Sequence, residues 1–191
     1  MSEIILVTGG ARSGKSTIAE KILLGKKEDI LYIATSIAFD EEMVDRIKKH
    51  QERRDERWKL AETYKDFHKL VDNDDFKKCK YILLDCITVM LSNRLFDKRL
   101  GNETDLDEYD VLESEILEDI ENLLKISREN DKTIVIVTNE LGMGIVPIDR
   151  ISRMYRDIAG RINQNIASQA DKVILAVSGI GVDIKKLEID A

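Results

Sequence analysis

IILVTGGARSGKSTIAEKILL, residues 4–24, passes from a short aliphatic run through a glycine-rich segment into a stretch with helical spacing. The same alternation continues down the chain. ILYIATS (30–36), KYILLDCIT (80–88), TIVIVTNE (133–140) and KVILAVSG (172–179) are further strand-sized apolar runs. Helical patterns lie between them. Residues 40–57 form a highly charged one with Met43, Val44 and Ile47 on its apolar side, and a second passes through Leu91 and Leu95. A long amphipathic helix carries Leu112, Ile116, Ile120 and Leu123, and another starts near Asp149 with Ile151, Ile158 and Ile162. The acidic 101–110 stretch reads as a loop or insertion. Strands this apolar, separated by helices, predict one α/β domain over residues 1–191, with a mainly parallel sheet covered on both faces. Ligands in such folds sit beyond the carboxyl ends of the strands.

The segment Gly9-Gly10-Ala11-Arg12-Ser13-Gly14-Lys15-Ser16 matches G-x-x-x-x-G-K-[ST] and lies between a strand and a helix, as that motif requires. Its glycines let successive N–H groups face a polyphosphate, and the helix N-terminus adds its dipole. Lys15 is placed to reach the β- and γ-phosphates, and the Ser16 hydroxyl to ligate Mg²⁺. Asp85, ending the ILLD run, is the natural second metal ligand. The motif fits GTP or ATP and does not name the reaction. No Asn-Lys-x-Asp guanine-reading segment follows a strand, so a regulatory GTPase is disfavoured.

Composition narrows the field. The formal net charge of −7 over 191 residues argues against a general nucleic-acid binder. No apolar run reaches membrane-spanning length, and the start of the chain lacks a signal-peptide pattern. Cys79 and Cys86 lack metal-site spacing and read as small core residues in a reducing compartment, which sets the cytoplasm as the expected location. Positive charge is local: RIKKHQERR, 46–54, surrounds one of only two histidines. On a helix Arg46, His50, Arg53 or Arg54, and Arg57 fall along one stripe. By spacing alone, the commoner meaning of such a stripe is a solvated basic face. His68 has no such surroundings, and Trp58 and Tyr64 read as packing residues.

The stretches ILVTGGARSGKS, LYIATS with DEEMVDRIKKHQERR, LLDCIT, and VTNELGMGIVP with RDIAGRINQ and SGIG together resemble the bifunctional adenosylcobinamide kinase/adenosylcobinamide-phosphate guanylyltransferase family of cobalamin biosynthesis. The resemblance implies a P-loop NTPase-like fold. It implies phosphorylation of adenosylcobinamide, then transfer of GMP from GTP through a GMP–histidine intermediate. By the R-I-x-x-H pattern that histidine corresponds to His50. Nucleotide contacts are implied at Ala34, Thr35, Ser36, Gln51, Glu52, Arg53, Arg54, Glu62 and Asp85, and a trimeric assembly is expected. The acidic 101–110 stretch matches none of these motifs. Two other readings remain: a plain P-loop small-molecule kinase or ATPase with an inert His50, and a GTP-sensing module that transfers nothing.

Overall fold

The computed structural model describes residues 2–36 and 55–189. Among these, seven strands form one sheet in the order β3-β2-β4-β5-β1-β6-β7. The strands are β1 (Ile4–Thr8), β2 (Ile30–Ala34), β3 (Trp58–Glu62), β4 (Tyr81–Asp85), β5 (Thr133–Val137), β6 (Lys172–Val177) and β7 (Ile180–Asp183). All pairings from β3 to β6 are parallel, and β7 alone runs antiparallel to its neighbour. The helices are α1 (Lys15–Leu24), α2 (Asp74–Lys78), α3 (Ile87–Lys98), α4 (Leu106–Glu129) and α5 (Arg150–Gln169). Short 3₁₀ turns occupy Phe67–Asp72 and Ile184–Leu187.

Successive side chains of a strand point to opposite faces, and in the central strands β1, β2, β4 and β5 both faces are dry. Ile4, Leu6, Leu31, Ile33, Ile82, Leu84, Ile134 and Ile136 enter one core with the apolar stripes of α3, α4 and α5. Ile5, Val7, Ile30, Leu83, Val135 and Val137 enter the other, with Ala19 and Leu23 of α1. That two-sided burial is why the strands read as unbroken apolar runs. Each fully buried aliphatic side chain contributes about 1.5–3 kcal/mol by leaving water.

Several expectations are corrected. The predicted 40–57 helix falls mostly on residues outside those described, and its last part is not helical: Asp55 to Arg57 lead by a turn into β3. β3 went unpredicted because it is an edge strand, with Lys59 and Glu62 diluting its apolar signal. The 101–110 stretch is loop only in part, since α4 starts at Leu106. Asp107 and Glu108 occupy its first turn, where carboxylates favour the helix dipole. Past β6 the chain reverses instead of ending the sheet. Ser178 (φ 52°) and Gly179 (φ 82°) make the two-residue turn into β7. Positive φ at both central positions is the hairpin geometry that suits strand twist. Cys79 and Cys86 are buried and free, as expected.

Candidate active site

The phosphate loop leaves β1 at the carboxyl edge of the sheet, and three neighbours shape it. Gly9 has φ 153°, and a Cβ there would lie 2.4 Å from the Ala176 carbonyl oxygen and 2.8 Å from Ser13 Oγ. Gly14 (φ 93°) precedes α1, and its Cβ would lie 3.0 Å from Gly179 Cα. Gly179 N–H donates to the Ser13 carbonyl at 2.8 Å, so the hairpin turn braces the loop from β6. Glu140 N–H donates to the Gly9 carbonyl at 3.0 Å from the other side. Only glycine permits such an approach of backbone to backbone.

Inside the loop Lys15 is buried, and its Nζ donates to the Gly10 carbonyl at 2.7 Å. Ser16 is half-buried in the first turn of α1, while Gly10, Ala11 and Arg12 are exposed at the loop's crest. Lys15 and Asp85 are both felt at the Cys86 thiol. Burial pushes that thiol's pKa up, Asp85 adds to the shift, and Lys15 opposes it. Asp85 pairs with Val137 and Val137 with Val7, so the strand-end carboxylate and the loop that follows β1 share one edge of the sheet. Ser13 Oγ and Thr8 Oγ1 are buried with no hydrogen-bond partner among the described residues, leaving unused polar capacity at the loop wall. A hydroxyl at a helix N-terminus and a half-buried carboxylate are the hard oxygen donors Mg²⁺ takes, so Ser16 and Asp85 fit that ion.

The register sets the rest of the edge. Ala34 pairs with Glu62 on one side and with Asp85 on the other, so all three lie in one row. Glu62 is exposed there and Ser36 half-buried. Thr35 differs from both: it has no exposed surface, and its N–H, carbonyl and hydroxyl all have internal partners. Arg57, expected in the cationic stripe, lies at the opposite edge. Its carbonyl accepts from Ile30 N–H at the start of β2, and its guanidinium pairs with Asp55 at 2.6 Å and reaches the Lys26 carbonyl. The amino end of a parallel sheet faces away from the phosphate loop, so Arg57 does not belong to this site. His50, Gln51, Glu52, Arg53 and Arg54 lie outside the described residues. His68 is exposed, and its ring comes within 4.8 Å of Asp66 and Asp119 carboxylate oxygens. Those carboxylates already meet Lys69 at 2.9 Å and Arg94 at 2.8 Å.

A set of asparagines that belong to no site motif joins the strand ends. Asn163 on α5 accepts from the Thr138 hydroxyl at 2.7 Å and donates to the Asn139 carbonyl at 3.0 Å. Asn139 Nδ2 in turn donates to Thr88 Oγ1 at 2.5 Å, and the Tyr155 hydroxyl donates to the Thr88 carbonyl at 2.7 Å. VTNELGMG and RDIAGRINQ are thus two halves of one hydrogen-bonded bracket around the exit of β5. Nothing in their spacing announces this, because the partners are 24 or more residues apart.

Comparison with known proteins bears on the same segments. The family model described as cobinamide kinase / cobinamide phosphate guanyltransferase matches residues 5–184. The bifunctional adenosylcobalamin biosynthesis protein CobU of Escherichia coli (strain K12) is 46% identical over 184 residues, 95% of this chain and 99% of that protein. Its Salmonella typhimurium counterpart is 47% identical over the same shares of the two chains. The chain belongs to this family. Bifunctional adenosylcobalamin biosynthesis protein CobP of Pseudomonas aeruginosa, at 35% identity over 94% of this chain and 96% of that one, is a further similar protein. In this member of the cobinamide kinase / cobinamide phosphate guanyltransferase family the matched region runs from β1 through β7, so the hairpin that braces the phosphate loop lies inside it. No helix among the described residues is long and apolar enough to cross a membrane.

Proposed function

We infer that this protein is a kinase and a nucleotidyltransferase that phosphorylates adenosylcobinamide and then transfers GMP from GTP to the product, giving adenosylcobinamide-GDP. The observation that carries this reading is the complete phosphate loop, with Lys15 inside it and Asp85 on the same edge of the sheet, in a chain of this family. In the first transfer the acceptor hydroxyl attacks the γ-phosphorus of ATP or GTP. An O–P bond forms, the bond to the β-phosphate oxygen breaks, and the hydroxyl proton leaves. Lys15 offsets charge on the β- and γ-oxygens, and loop N–H groups hold the phosphates in line. Ser16 and Asp85 would hold Mg²⁺, which neutralises phosphate charge when bound.

For the second transfer His50 is the nucleophile of our proposal. Its neutral imidazole nitrogen attacks the α-phosphorus of GTP, pyrophosphate leaves, and a P–N bond holds GMP. The acceptor phosphate oxygen then displaces the imidazole, dividing one difficult substitution into two easier ones. Arg46, Arg53 and Arg54, each within four residues of His50 in the sequence, are the cations proposed to offset the triphosphate charge. Gln51 and Glu52 belong to the same proposed nucleotide contact, as do Ala34, Ser36 and Glu62.

GTP labelled on the α-phosphate separates this reading from a plain kinase and from a GTP sensor. Mass spectrometry should find one GMP on His50, stable in base and labile in acid, formed without the corrinoid and absent from His50→Ala. GMP on Lys49, or on no residue, would refute the assignment. Assembly as a trimer is part of the same proposal. Ile145 and Ile148 are 95% and 98% exposed, and Met143 and Val146 are also out in solvent, an apolar surface that association would cover. Sedimentation should then give three times the 21.8 kDa chain mass.

A further inference from the structure

The ladder between β2 and β4 stops at Thr35, whose N–H reaches the Asp85 carbonyl at 3.3 Å. One residue further on, a side chain takes over from the backbone. The Thr35 hydroxyl donates to the Cys86 carbonyl and accepts from the Cys86 N–H, both at 2.8 Å. The Thr35 carbonyl accepts from Asn93 Nδ2 at 2.6 Å. Thr35 and Asn93 are both buried. Asp85 is therefore gripped at its own carbonyl and at both polar groups of the next residue, while its side chain emerges half-buried at the edge. Asn93 closes the arrangement from α3, the helix into which β4 itself leads.

We propose that Thr35 and Asn93 are a positioning pair that sets the Asp85 carboxylate at the height where it meets phosphate-bound Mg²⁺. The inference rests on the assignment of Asp85 to the metal made above. The two strands diverge at this point, one leaving the sheet after Ala34 and the other entering α3, so the ladder that pairs Asp85 with Ala34 and Val137 ends there and side chains must hold the residue that follows it. A hydroxyl both donates and accepts, so one short side chain here replaces a backbone N–H and carbonyl together. Groups that orient a metal ligand change metal affinity when lost, without touching the metal.

Calorimetry of GTP binding, with Mg²⁺ and with EDTA, tests the proposal on the full chain. Thr35→Val removes the hydroxyl at nearly constant shape, Asn93→Ala removes the second contact and spares the first, and Thr35→Ser restores the hydroxyl. Thr35→Val and Asn93→Ala should reduce the Mg²⁺-dependent gain in GTP affinity by about 10–100-fold. Affinity in EDTA should hold in both, and Thr35→Ser should behave like the parent. If Thr35→Val does not fold, Asn93→Ala against Thr35→Ser decides the matter. Equal losses with and without Mg²⁺ would mean a direct nucleotide contact or a general packing role, and would overturn the inference. Asp85→Asn separates the two layers. Should it keep the full Mg²⁺ gain, the metal assignment fails and the pair's role falls with it. Should it lose the gain while both clamp variants keep it, the clamp alone is wrong.

Discussion

Gly9→Ala is a one-carbon change whose cost can be worked from the structure. The new Cβ would stand 2.4 Å from the Ala176 carbonyl oxygen, which belongs to β6 and has no flexible end to swing away. Overpacking of this kind costs about 1–3 kcal/mol, and a non-glycine residue at φ 153° adds backbone strain of about 1–3 kcal/mol. The expected loss is therefore about 2–6 kcal/mol. For a chain of this size each kcal/mol moves Tm by about 2–4 °C, so melting should fall by roughly 4–24 °C. Because Gly9 also accepts from Glu140 N–H, moving it disturbs the loop and the β5 exit together, and GTP affinity should drop at least about tenfold. Gly10→Ala is the matched control. Nothing lies within 4 Å of its Cβ position and its φ is ordinary, so Tm should stay within about 2 °C, as for an unconstrained surface site. Thermal melts by circular dichroism and calorimetry with GTP read both quantities. Equal melting of the two variants, or a Gly9→Ala protein as stable as the parent, would refute the packing argument.

Lys15→Ala should weaken GTP binding in Mg²⁺ by about 10–100-fold, the worth of charge-assisted phosphate contacts, while guanosine binding is unaffected; unchanged GTP affinity would remove Lys15 from the phosphate site. Arg94→Met should cost about 3–5 kcal/mol, because it leaves Asp119 buried without its guanidinium partner. Burial holds the Asp119 pKa above the usual carboxylate value, with Arg94 opposing the rise. A raised native pKa means stability that is full below the unfolded value and declines as pH climbs through the native one. Removing Arg94 raises the native value further, so the deficit of Arg94→Met should be smaller at pH 4 than at pH 7. Urea melts giving the reverse order would sink this account.

The strand-to-helix motif, the two-faced apolar strands and the heptad-like stripe of α4 were all readable because each is a local pattern of residue types. They specify a parallel α/β sheet and a phosphate loop without reference to anything distant. β3 escaped because an edge strand need bury only part of its surface, and Lys59 and Glu62 are compatible with that. Arg57 was misplaced for a related reason: helical spacing put it on a stripe, whereas pairing of β2 with β3 carries it to the far edge. Why Gly9 must be glycine depends on Ala176, 167 positions away, and why SGIG follows β6 depends on Ser13 needing a donor for its carbonyl. Likewise Thr35, Asn93, Asn139 and Asn163 have no chemistry as isolated letters. A buried hydrogen bond is a relation between two positions, and only the folded sheet brings those positions within reach of each other.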